Sequence, residues 1–141
     1  MSPQNLHASC VAIGDYGLLI RGASGAGKSD LVLRLIDENR GATLVADDQV
    51  MITEEEGFLF ASPPQSLAGK LEIRGQGIVT RAYLAKVKLS HIIDLVAPAE
   101  ITRMPEIAEL QTTHLGFAFP RLKLDAGQAS APARIRAFLR G

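Results

Sequence analysis

The stretch LLIRGASGAGKSDLVLRLI, residues 18–36, decides the fold. It opens as a short apolar strand, passes through glycines 22, 25 and 27, and closes with Leu31, Val32, Leu35 and Ile36 at helical spacing. Gly22 to Ser29 fit the pattern G-x-x-x-x-G-K-[ST], with Ala23, Ser24 and Ala26 completing the loop. Glycines at these positions let consecutive backbone N–H groups turn inward where side chains would block an anion. The helix that follows adds about half a positive charge at its N-terminus, close to the same point. Lys28 can reach terminal phosphates and the Ser29 hydroxyl can hold Mg2+. The competing reading is a glycine-rich turn that matches by chance. Strand, loop and helix in register favour a cradle for a phosphate chain, that of ATP.

Working outward, HASCVAIGDYGLLIRG reads as two strands, about His7–Ile13 and Tyr16–Arg21, reversing at GDYG. Gly14 and Gly17 flank that reversal, where positive φ angles are expected. The helix is predicted from Lys28 to about Asn39, with Asp30 four residues before Arg34 and Gly41 as its stop. ATLVADDQVMIT then supplies a buried strand ending in two aspartates; EEEG turns the chain and FLFASPP returns it. Residues 65–80, QSLAGKLEIRGQGIVT, are punctuated by glycine and read as functional rather than packing text. KVKLSHIIDLV is expected as a strand with one wet face, and FAFPRLKLD as another, with Pro120 marking an edge or a bend. ASAPARIRAFLRG closes as an amphipathic helix carrying Ile135, Phe138 and Leu139 on one side. The expectation is one α/β domain over residues 1–141, a mixed sheet with hairpins and few helices.

Bulk composition narrows the function classes. Hydrophobic residues make up 47% and charged residues 21%, ordinary values for a globular chain. Fifteen basic residues balance fifteen acidic ones, so no broad positive field favours nucleic acid or anionic lipid as a partner. Cys10 is alone, no Cys/His group has zinc spacing, and a reducing cytosol fits best. MSPQNLHASC does not read as a signal peptide, and no apolar run is long enough to span a membrane. The expected location is cytoplasmic.

Phosphoryl transfer needs a carboxylate near the metal or the nucleophile. Asp47 and Asp48 end the strand after the loop's helix, 19 and 20 residues past Lys28. On a strand they point to opposite faces, so one can enter the site while the other supports the loop or the metal. A polar strand end starting a turn is the alternative. Glu72, in LEIRGQG, reads either as a second metal carboxylate or as part of a surface turn with Arg74. His7 alone reads as a structural residue at a strand end, and His91 and His114 as structural or exposed. Arg103, in ITRMPE, reads as a solvated arginine.

In order, H…GLLIRGASGAGKS…LVADDQV…LEIRGQGIV resembles the catalytic domain of the bacterial HPr kinase/phosphorylase family, over His7 to about Arg103. Such a resemblance implies a loop-bearing kinase domain related to phosphoenolpyruvate carboxykinases, assembled as a hexamer, that phosphorylates a serine on the phosphocarrier protein HPr. It implies that Gly22 to Ser29 bind ATP, with Lys28 on the phosphates and Ser29 on Mg2+. Asp47 would then take the proton from the substrate serine, and return one in dephosphorylation. His7, 21 residues before Lys28, would hydrogen-bond and tune that aspartate, reversing the structural reading. Glu72 would complete the metal site, Arg74 to Gly77 would surround it, and Arg103 would stand near the transferred phosphate. The family's N-terminal domain has no counterpart here, so a short form or catalytic fragment is expected.

The family's usual PVRPGRN motif is replaced by DAGQASAPARIRAFLRG, which favours kinase over phosphorylase activity. An ATP-dependent serine kinase acting on HPr or an HPr-like protein is the leading expectation. A nucleotide sensor that binds ATP and a partner without transfer is the alternative. A small-metabolite kinase is disfavoured because no lid-like insertion is visible.

Overall fold

The computed structural model describes residues 2–141, which form twelve strands, two α-helices and three short 3-10 helices. β1 (Gln4–Leu6), β2 (Ser9–Ile13) and β3 (Tyr16–Arg21) lead into α1 (Lys28–Asp37). β4 (Ala42–Ala46), β5 (Val50–Glu55) and β6 (Phe58–Ser62) follow, then the hairpin β7 (Lys70–Ile73) and β8 (Gly77–Thr80). β9 (Val87–Lys88), β10 (His91–Leu95), β11 (Gln111–His114) and β12 (Phe117–Leu124) precede α2 (Ala131–Arg140).

A six-stranded mixed sheet in the order β11-β12-β10-β3-β2-β4 forms the middle layer. β3, β10 and β12 run parallel, while β2 is antiparallel to both β3 and β4. Alternating side chains feed two cores on its two faces. Val11, Leu18, Ile20 and Ile93 pack under α1 and α2 with Leu31, Leu35, Ile135 and Leu139. Cys10, Ala12, Leu19 and Ile92 meet Val50, Ile52, Leu59 and Ala61 of a second sheet, ordered β1-β5-β6-β9. Each fully buried Leu or Ile contributes about 1.5–3 kcal/mol relative to exposure, so both layers are firmly held. No helix of the described residues is long and apolar enough to cross a membrane.

Several expected boundaries shift for local reasons. The first strand breaks at His7 and Ala8, so that β1 pairs with β5 in the second sheet while β2 enters the first. Gly14 has the expected positive φ of 57°, but Gly17 lies inside β3 and is required for a different reason: a Cβ there would sit 2.2 Å from the Lys88 carbonyl oxygen. α1 stops before Gly41, because Asn39 already adopts a left-handed φ of 54°. KVKLSHIIDLV is not one half-wet strand. It splits into β9 of the second sheet and a buried β10 at the centre of the first. Pro120 is the last β12 residue paired with β11, after which β10 takes over the ladder from Arg121. The missing N–H falls at that hand-over, within a strand that runs unbroken from Phe117 to Leu124.

One irregularity matters for the site. Val11 faces Leu44 but Cys10 faces Ala46, leaving Val45 as an extra residue on β4. Leu44 therefore joins the helix-side core, whereas Val45 and Ala46 both join the other. The bulge inverts the parity of the residues beyond it.

Candidate active site

The inverted parity turns Asp47 toward the helix side of the sheet and sets it opposite Ser9. Asp47 is 6% exposed, and its Oδ1 accepts the buried Ser9 hydroxyl at 2.8 Å. Ser29 Oγ, in the first turn of α1, lies 2.8 and 3.0 Å from the two Asp47 carboxylate oxygens and donates to this group. The loop's hydroxyl and the strand-end carboxylate are thus joined directly.

Asp48 follows a different course. It has a left-handed φ of 68°, a region that aspartate tolerates better than most residues, and Gln49 N–H donates to the Asp47 carbonyl at 2.8 Å. This tight turn carries the chain out of the first sheet and into β5. Asp48 N–H reaches Ser9 Oγ at 3.3 Å, and its carboxylate lies 2.8 Å from His7 Nε2 with more than half of each side chain exposed. The hydrogen bond expected between His7 and Asp47 therefore falls on Asp48 instead. The bulge sets the face of Asp47, and the turn at Asp48, rather than alternation along a strand, parts the two aspartates.

The loop from Gly22 to Gly27 sits at the carboxyl end of β3, where the parallel strands β10 and β12 also end. Gly25 and Gly27 hold φ angles of 82° and 96°. A Cβ on Gly22 would crowd Leu95 and Ala26 at 3.1 and 3.2 Å, and one on Gly27 would meet Ala126 at 3.1 Å. No side chain caps α1, so its first N–H groups face the loop. Lys28 is 7% exposed and curls back to donate to the Gly22 and Ala23 carbonyls at 2.7 and 3.1 Å. Such a cradle fits a phosphate chain: uncapped N–H groups, a tethered ammonium and glycines that side chains cannot replace. Ser29 and Asp47 fit a magnesium ion that also takes phosphate oxygens, since magnesium is commonly held by few protein groups.

Glu72 is not gathered into that pair. It stands exposed on β7, while its neighbour Leu71 is buried beside α1. Among the described residues, no group of three or more His, Cys, Asp or Glu side chains is arranged to hold a metal ion. Arg74, Gly75 and Gly77 form the exposed tip of the same hairpin. Arg103 is exposed and borders a cleft of about 300 Å³ together with Lys123 and Arg134. His91 is structural: its ring packs edge-on against Tyr16 and Phe138, at centroid distances of 5.2 and 5.8 Å.

Sequence reasoning missed two groups. Ser9, a lone hydroxyl in an apolar strand, carries no motif. Asp94, a charge inside the apolar run HIIDLV, was a readable signal. Asp94 Oδ1 and Oδ2 accept Arg21 Nε and Nη2 at 2.7 and 2.8 Å, and Oδ2 also accepts Arg121 Nη1 at 2.8 Å. Burial works to raise the Asp94 pKa, but hydrogen bonds and charge from Arg21 and Arg121 prevail and hold it below the usual carboxylate value. His114 Nδ1 lies 3.2 Å from Arg21 Nη1. Burial and that guanidinium lower its pKa, against the opposing pull of Asp94.

Fold and site together define a mixed α/β domain with a glycine loop and a paired hydroxyl and carboxylate at the carboxyl edge of its sheet. The family model for the HPr serine kinase C-terminal domain matches residues 1–116, and the chain belongs to that family. The chain is 46% identical over 90 residues to an HPr kinase/phosphorylase of Clostridium tetani, a match that covers 64% of this chain and 28% of that protein. Against the HPr kinase/phosphorylase of Clostridium acetobutylicum it is 47% identical over 74 residues, covering 52% and 24%. It thus spans about a quarter of the length of the curated relatives it matches. The structure of the Hpr(Ser) kinase/phosphatase from Coxiella burnetii superposes with a TM-score of 0.81 at 29% identity, over 97% of this chain and 88% of that one.

Proposed function

We propose that the chain is an ATP-dependent serine kinase acting on HPr or an HPr-like phosphocarrier protein, with its domain related to the phosphoenolpyruvate carboxykinases. The observation that carries this reading is the split of the two aspartates, Asp47 onto Ser29 and Asp48 onto His7. Family membership supports the acceptor, and the glycine loop supports the donor.

Loop N–H groups and Lys28 hold the β- and γ-phosphates, Lys28 exchanging its carbonyl contacts for phosphate oxygens. Ser29 and Asp47 would hold Mg2+, which would supply positive charge beside the transferred group. Asp48, half-open to solvent and steadied by His7, receives the proton of the acceptor serine. This assignment moves the base from Asp47 to Asp48, because Asp47 is buried and already engaged by two hydroxyls. Much of the acceleration comes from positioning and from fixed donors around the moving charge. The exposure of the Asp48 side chain suits a protein acceptor.

The test mixes the purified chain with Mg-ATP and the HPr-like protein of the same organism and reads intact mass. One added phosphate, on serine and absent with Asp48→Asn, is expected. Nucleotide binding without transfer would replace the kinase by a nucleotide sensor.

A further inference from the structure

Arg21 precedes the first glycine of the loop, and Arg103 follows Thr102. A continuous set of hydrogen bonds joins the two places. Asp94 takes Arg21 at 2.7 and 2.8 Å and Arg121 at 2.8 Å. Arg121 Nε donates to the Glu109 carbonyl at 2.9 Å, and the Glu109 carboxylate accepts the Thr102 hydroxyl at 2.8 Å. The Asp94 and Arg121 side chains are only 15% and 17% exposed, so their pair is shielded from solvent and salt, while the Thr102–Glu109 link at the end of the set is exposed. β10 lies between β3 and β12, and Asp94 is paired in register with Arg21 itself.

We infer that Asp94 is a positioning residue that fixes the segment 101–110, and Arg103 with it, relative to the phosphate-binding loop. This rests on the kinase reading of the site. The chemistry favours Asp94 for the task. A carboxylate accepts from two guanidinium forks at once, and the Arg121 fork reaches on to a backbone carbonyl that no point charge could serve simultaneously. Neither Asp94 nor Arg121 touches the Ser29–Asp47 or His7–Asp48 pair. Their effect therefore passes through the placement of the two loops.

Two measurements test this. Amide hydrogen exchange on the full chain without ligand compares the parent with Asp94→Asn, in which the amide nitrogen can no longer accept a guanidinium. Faster exchange is expected in both 22–28 and 101–110, with β2, β4 and β5 unchanged. Unchanged exchange in 101–110 would overturn the coupling, as would uniform acceleration throughout the chain. In phosphotransfer, Asp94→Asn is expected to lower kcat about tenfold with the nucleotide KM changed less than twofold. Thr102→Val, which removes only the last link, should lower kcat in the same direction, and Thr102→Ser should restore it. A kcat within twofold of the parent for Asp94→Asn would also overturn the inference. If the parent itself transfers no phosphate, the kinase reading fails, and the exchange measurement still decides whether the two loops are coupled.

Discussion

His7 Nε2 lies 2.8 Å from Asp48 Oδ1, whereas Asp47, one residue earlier, accepts the Ser29 hydroxyl 2.8 Å away on the other side of the turn. Adjacent carboxylates thus serve different partners, which makes their roles separable by mutation. Asp48→Asn is expected to leave Mg-nucleotide affinity within about twofold while lowering transfer by roughly 10²–10⁴, the range typical of a lost general base. Asp47→Asn should weaken Mg-nucleotide binding itself. Isothermal titration with Mg-ADP beside a transfer assay distinguishes the two, and equal loss of affinity in both variants would contradict the assignment.

Gly17 should be the least replaceable glycine outside the loop, although its backbone is ordinary. A methyl group would be forced against the Lys88 carbonyl, at a point where β9 and β10 are anchored by Ser90 N–H donating to the Gly17 carbonyl at 2.9 Å. Gly17→Ala is expected to cost about 2–3 kcal/mol, the upper part of the range for overpacking. Urea denaturation checks it, and a loss below about 0.5 kcal/mol would show that the second sheet yields easily.

Two histidines predict a dependence of stability on pH. Burial lowers the pKa of His91, and burial with Arg21 lowers that of His114, so the folded state favours both neutral forms. Their stabilisation is complete above the ordinary value of 6.5 and is lost as pH falls through the lower folded values. Denaturant midpoints should therefore fall between pH 7.5 and pH 5, and His91→Phe should flatten part of that slope. Asp94, also depressed, acts in a separate window. Its contribution persists above the ordinary value of 3.8 and disappears only as pH drops through the folded value.

Cys10 offers a probe of global opening. It is fully buried between the two sheets, and burial pushes its thiol pKa up, so the reactive thiolate is suppressed in the folded chain. Labelling by a thiol reagent is expected at the rate of global unfolding, not of loop motion. Rapid labelling in native buffer would reveal separation of the two layers.

Much of the fold was legible because its signals are local. The spacing of Leu31, Val32 and Leu35 places α1, and the glycines mark the loop. The ends of strands were less legible, since β1, β2, β9 and β10 are assigned to different sheets by long-range pairing that a short window cannot contain. Within the site, the sequence named both aspartates and His7, but paired them wrongly. The His7–Asp47 pairing was implied by the family resemblance, and the left-handed turn at Asp48, which no local pattern announces, gives His7 to Asp48 instead.

The Val45 bulge also says where this chain can change length. The turn Asn39–Gly41 joins the far end of α1 to β4, so residues gained or lost there move nothing near Ser29. Between Leu44 and Asp47 only the bulge residue itself is spare. Deleting Val45 would restore a regular ladder that still sets Asp47 opposite Ser9, whereas drawing Val45 into the ladder opposite Cys10 would turn Asp47 to the second sheet, with its back to the loop. In a chain of this length the defect in the pairing is what aims the carboxylate, and a ladder closed with Val45 retained would be regular and leave Ser29 without its partner.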